Sequence, residues 1–217
     1  MSRLDLIVGP NGAGKSTFVE FVLADARPGV PFVNADIIAA ERWPDDPLSH
    51  GYEASQAAAA IRDALLANHE SFIAETVASH PSKVDLVRRA AAAGYHVHLI
   101  VVAVPEEYSV ARVGLRVAAG GHDVPEDKIR ARWQRLWTNV TEMIELAASA
   151  EVFDNSGPGP ETIAVFVGGH IVGRARWPAW APAALTARWE PQPPRLRRIA
   201  RIISGTSSDS AHDRLVQ

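Results

Sequence analysis

Apolar residues along this chain come in short runs that alternate with longer segments in which they recur every three or four positions. Leu4-Asp5-Leu6-Ile7-Val8 is an apolar run closed by glycine, the form of a buried strand feeding a loop. The pattern then predicts a helix over Lys15 to Ala26, a strand over Pro31 to Asp36 and a long helix in the alanine-rich stretch after Leu48. Ser71 to Val77 reads as the third strand, and Pro81 fits the first turn of a helix that Gly94 closes. Tyr95 to Pro105, the most apolar segment, reads as the central strand. A helix from Glu106 to Ala119 ends at Gly120-Gly121. Pro125 opens another that runs to about Ala150, with Ile129, Trp133, Leu136, Val140, Met143 or Ile144, and Ala147 at helical spacing. Glu151 to Ser156 is the fifth strand.

This rhythm predicts an α/β fold of the P-loop NTPase type: a five-stranded parallel sheet with right-handed crossovers and helices on both faces. Beyond a Gly/Pro linker, Thr162 to Arg176 alternate around Gly168-Gly169, the pattern of a C-terminal β-hairpin. The expected organisation is a core over residues 1–157 with a helical lid around 106–135, then the hairpin and a Trp-rich extension over 158–190 (Trp177, Trp180, Trp189), and a flexible tail over 191–217. Within that tail, Arg195 to Ile203 reads either as a basic amphipathic helix or as a solvated end.

Composition narrows the chemistry by exclusion. A 217-residue chain that is 47% hydrophobic can bury a full core. Its net charge of -3 exerts no bulk pull toward nucleic acid or anionic membrane, and neither is expected as a partner. There is no cysteine, so thiolate metal sites and thiol nucleophiles are excluded. The first residues lack the pattern of a secretory leader and no apolar run suffices for a membrane helix, so a cytoplasmic location is expected.

The segment Gly9-Pro10-Asn11-Gly12-Ala13-Gly14-Lys15-Ser16-Thr17 satisfies the phosphate-loop pattern, and it follows a predicted strand and opens a predicted helix. Glycines let the backbone curl with its N–H groups inward, and the helix start adds the positive end of its dipole, so a polyphosphate such as that of ATP finds donors on all sides. Lys15 neutralises the outer phosphates, Ser16 offers a hydroxyl to Mg2+, and Thr17 packs or assists. No transporter-type signature and no Asn-Lys-x-Asp base-reading motif follows, which leaves the small-kinase class.

In an open parallel sheet, ligands sit beyond the carboxyl ends of the strands. Strand two ends in Asn34-Ala35-Asp36 and strand three in Glu75-Thr76. Asp36 is the candidate general base, with helix N-capping as its alternative role. Glu75 is read as holding substrate or a magnesium-bound water and Thr76 as donating to substrate, with simple strand-end capping as the alternative. The chain has 19 Arg against 3 Lys. Arg112 and Arg116 lie one helical turn apart, and Arg132 and Arg135 share a face across the Gly-Gly turn, with Arg130 further round. Two such helices make a closing lid with guanidinium forks for phosphate, unless they are a solvated face. His96 and His98 are expected to be buried and hydrogen-bonded, and His122 to stabilise the turn.

The motifs "GPNGAGKST", "VNAD", "FIAETVASHPSKVDLVRRAAAAGYHVHLIVVAVP", "ARVGLRVAAGGHDVPEDKIRARW" and "DNSG", in this order over Leu4 to Gly157, resemble the zeta toxin family of phosphate-loop kinases. That resemblance implies ATP- and magnesium-dependent phosphorylation of a hydroxyl on UDP-N-acetylglucosamine, and an antitoxin as partner. It implies that Lys15 is the loop lysine, Asp36 the base, Glu75 and Thr76 the acceptor-binding pair, and Arg116 and Arg132 the lid arginines; Arg112, one turn from Arg116, is read from that spacing as a substrate-binding residue. Val77 departs from members that carry a further hydroxyl there. A kinase acting on an antibiotic or metabolite, or a nucleotide-gated binding module, stays open beside the toxin reading.

Overall fold

A computed structural model describes residues 1–189, Ala24 and His122 excepted. The expected roles of His122 and of the tail over 191–217 therefore fall outside the described residues. One sheet of seven strands runs in the order β2-β3-β1-β4-β5-β6-β7. Five of them are parallel, as the alternation of elements predicts: β1 (Arg3–Val8), β2 (Phe32–Val33), β3 (Phe72–Thr76), β4 (His96–Ala103) and β5 (Ser149–Asp154). β4 is the middle strand of the seven. The hairpin strands β6 (Glu161–Val167) and β7 (His170–Ile171) extend this same sheet, antiparallel to β5. Trp189 closes against it, with its ring 4.8 Å from that of Phe166.

Helices cover both faces. On one face α3 (Gly51–Ala67), α4 (Ser82–Ala92) and α6 (Glu126–Leu146) pack over Leu6, Val8, Leu99 and Val101. On the other, Phe18, Val19 and Leu23 cover Ile7, Ile73, Ile100 and Val102. The remaining helices are α2 (Ala35–Arg42), α5 (Glu106–Ala118) and α7 (Ala183–Trp189).

Three boundaries differ from the sequence reading. The first helix is α-helical only over Lys15–Phe18 (α1) and widens to a π turn over Val19–Leu23, a spacing that turns Phe18, Val19 and Leu23 onto the sheet together. β2 pairs over two residues because Asn34 already caps α2. α6 stops at Leu146, where Ala147 becomes extended (φ -75°, ψ 147°), and β5 starts at Ser149 rather than Glu151.

At the amino edge of the sheet Asp5 is fully buried, with Arg3 at 2.6 Å and Arg27 at 3.4 Å. Beside it, His98 Nδ1 lies 2.8 Å from the Ser149 hydroxyl, which also meets His96 Nε2 at 3.2 Å. Both rings are half-buried and hydrogen-bonded. Burial, reinforced by the positive charge of Arg3, pushes the His98 pKa below its ordinary value of 6.5, against the pull of Asp5. The unfolded chain therefore takes up this proton first on acidification, and stability falls as pH drops below about 6.5. Replacing His98 by Gln should shrink the difference between urea midpoints measured at pH 7 and pH 5. An unchanged difference would remove His98 as its source.

Candidate active site

The phosphate loop is held from beneath by backbone and polar contacts. Gly9 (φ 155°) passes so close to β4 that a Cβ would lie 2.1 Å from the Val102 carbonyl. Gly12 and Gly14 adopt left-handed φ of 70° and 85°. The Ala13 carbonyl accepts from Asn155 Nδ2 at 2.8 Å, just past the end of β5, and the Asn11 carbonyl accepts from the buried Ser109 hydroxyl of α5. Of the nine loop residues, Asn11, Gly12, Gly14, Lys15, Ser16 and Thr17 face a cavity of about 1080 Å³, whereas Gly9, Pro10 and Ala13 do not line it. The Pro10 carbonyl takes the Lys15 ammonium at 3.0 Å.

Lys15 is buried, and this pushes its pKa below 10.5; Glu75, with an oxygen 3.8 Å away, and Asp36 counter the shift, and Arg116 adds to it. Parallel pairing sets Glu75 beside Ile7 and Thr76 beside Val8, which delivers both to the loop. Glu75 Oε2 accepts from the Ser16 hydroxyl at 2.9 Å and from Asn34 Nδ2 at 2.7 Å. Both carboxylate oxygens thus turn toward the loop. In phosphate-loop enzymes a carboxylate stands beside the loop hydroxyl on magnesium. The oxygen-only pair of Ser16 and Glu75 fits Mg2+, which takes one or two protein oxygens and completes its shell with phosphate and water. The left-handed glycines, the start of α1 and the Lys15 ammonium fit a triphosphate.

Asn34 Oδ1 accepts from the amides of Asp36 (2.7 Å) and Ile37 (3.4 Å) and so caps α2. The capping alternative for Asp36 is thereby corrected: the neighbouring Asx residue fills it, and Asp36 stands exposed on the first turn, lining the cavity. Arg112, Arg116, Arg132 and Thr76 line it as well. Arg116 Nε and one of its terminal nitrogens are buried with no hydrogen-bond partner, and Gly121 folds over its aliphatic stem. Arg130 is instead tied to Glu107 (2.5 and 2.9 Å), Glu126 (2.9 Å) and Glu106 (3.4 Å) and staples α5 to α6. Neither Arg130 nor Arg135 is among the cavity residues.

The sequence profile of the AAA domain family matches residues 4–150. The chain belongs to this family. A relative is an uncharacterized protein of Haemophilus influenzae, 31% identical over 126 residues, which span 58% of this chain and 88% of that one. Among solved structures, the AvrRxo1-ORF1:ORF2 complex aligns with a TM-score of 0.63 at 17% identity, over 79% of this chain and 60% of that one. The same complex with ATP gives 0.62 at 16% identity, over the same shares of the two chains. The PezAT toxin-antitoxin system of Streptococcus pneumoniae gives 0.56 at 14% identity, over 71% of this chain and 68% of that one. This chain therefore spans less than two thirds of the AvrRxo1 chain it matches. These likenesses establish the fold: an AAA domain whose α/β architecture is shared with the AvrRxo1 and PezAT chains.

Two supports of this AAA-domain loop were not assigned from sequence, Ser109 and Asn155. Each reaches the loop across more than ninety residues of chain, and only "DNSG" among the family-like motifs pointed at Asn155. Among the described residues no group of three or more His, Asp or Glu could hold a metal, and no helix is long and apolar enough to cross a membrane.

Proposed function

We propose that the protein is an ATP-dependent kinase of the zeta toxin type that transfers the γ-phosphate of ATP to a hydroxyl of UDP-N-acetylglucosamine or a related small molecule. The observation that carries this reading is the convergence of Lys15, Ser16, Glu75, Asp36, Arg112, Arg116 and Arg132 on one cavity. At about 1080 Å³ it exceeds a typical single-ligand pocket and has room for a nucleotide and an acceptor together.

In this reading the loop amides and Lys15 hold the phosphates, and Ser16 and Glu75 hold magnesium directly or through its waters. The bound ion supplies neutralisation of charge on the phosphate oxygens. Asp36 accepts the proton of the acceptor hydroxyl, whose oxygen forms the new bond to phosphorus as the bond to the departing ADP breaks. Arg116 and Arg132 spread the equatorial charge, and Arg112 and Thr76 orient the acceptor. The two unpartnered nitrogens of Arg116 support this assignment, since a phosphate oxygen would satisfy them. An antitoxin is a fitting partner, in view of the toxin-antitoxin complex that shares this fold.

Purified full chain with ATP, magnesium and UDP-N-acetylglucosamine should yield a sugar nucleotide heavier by one phosphate, and chelating magnesium should stop its formation. ADP released only with a different acceptor would overturn the sugar assignment. No stimulated ADP release with any hydroxyl acceptor would overturn the kinase.

A further inference from the structure

The buried face of α3 carries a residue that its spacing does not call for. Ala54, Ala58, Arg62 and Leu66 recur every four positions and all are buried, so Arg62 fills a site where an apolar side chain belongs. It is only 5% exposed. A guanidinium so placed is unfavourable unless an anion meets it. Its sequence neighbour Asp63 bonds Arg89 instead, at 2.9 Å, and among the described residues Arg62 forms no ion pair. Arg62 lines the cavity beside Ala58 and Ser55, whose small side chains leave it open.

Lys83 enters the same cavity from the first turn of α4, next to Ser82. It too has no ion pair among the described residues. Burial pushes its pKa below the ordinary value, and the positive charge of Arg62 adds to the shift. Two cations therefore face each other where both are desolvated, at the positive end of the α4 dipole. Arg62 stands on α3 and Lys83 on α4, so the pair reaches the cavity from elements other than the phosphate loop.

The charge of the whole cavity agrees. Seven cationic side chains line it against three carboxylates, an excess of four. A nucleotide triphosphate with magnesium brings roughly two net negative charges. About two positive charges remain unmatched, and Arg62, the most deeply buried of the cavity's cations that form no ion pair among the described residues, stands with Lys83 among them.

We propose that Arg62 and Lys83 form a second anion site, which holds a phosphate or diphosphate group that the acceptor itself carries. The role given to the acceptor rests on the kinase reading, whereas the anion site does not. The acceptor class is then a phosphorylated small molecule, and neutral sugars or uncharged antibiotics are disfavoured.

The full chain, saturated with magnesium and a non-hydrolysable ATP analogue, is titrated with inorganic pyrophosphate by calorimetry. One equivalent should bind. Arg62→Met and Lys83→Met should each weaken binding tenfold or more, as expected for losing one charge-assisted contact, and the analogue itself should bind within about twofold of wild type. Arg62→Met should melt no lower than wild type, because an apolar side chain replaces an unmatched charge. No pyrophosphate binding, or binding to both variants as tight as to wild type, would overturn the site. If Arg62→Met fails to fold, Lys83→Met decides alone. Because no turnover is measured, failure of the kinase assay leaves this result standing.

Discussion

Asp36→Asn should abolish most turnover while leaving nucleotide binding in place. Asp36 is exposed on the first turn of α2 and its capping role is filled by Asn34, so the isosteric change has little structural cost. The lost negative charge near the helix start accounts for at most about 1 kcal/mol. Removing a general base slows phosphoryl transfer by about 10²–10⁴-fold, or roughly 3–5 kcal/mol of barrier. The affinity for an ATP analogue should move little, since the loop contacts do not involve Asp36. Single-turnover rates of wild type and variant, measured with the same acceptor, decide the matter. Equal rates would strip Asp36 of its role, and lost analogue binding would mean that it shapes the nucleotide site instead.

The second large effect is structural. Gly9→Ala would set a methyl group 2.1 Å from the Val102 carbonyl, on the central strand of the sheet, at a φ of 155°. Neither neighbour can yield: Val102 is fully buried and its strand is paired on both sides. Backbone strain and overpacking together should cost about 2–6 kcal/mol, a large part of an ordinary domain's stability. The melting temperature should fall by roughly 5–20 °C. Gly29→Ala is the control, because Gly29 has a φ of 74° with open space around it and should lose only about 1 kcal/mol. If the two variants melt alike, the close approach to β4 is not what fixes Gly9.

The parallel core and the loop were legible because their signals are local: apolar runs, glycines and a Lys-Ser pair in register with a strand end. The strand ends also placed Asp36, Glu75 and Thr76 around one cavity with the loop. What escaped has no local trace. Asn34 and Asp36 are both good capping residues two positions apart, and only the backbone path chooses between them. The turn of Glu75 toward Ser16 joins residues 59 apart, and that of Asn155 toward Ala13 joins residues 142 apart. Arg62 sits in a run of alanines that gives no periodic contrast, so its burial emerges only when α3 packs.

The hydroxyl of Ser109 and the amide of Asn155 hold the loop at the Asn11 and Ala13 carbonyls, and the strand beneath leaves it nowhere to sink. Its curvature therefore exists before any nucleotide arrives. Capture then resembles a key meeting a finished lock: little disorder is surrendered on contact, and more of the attraction between amides and phosphate survives as affinity.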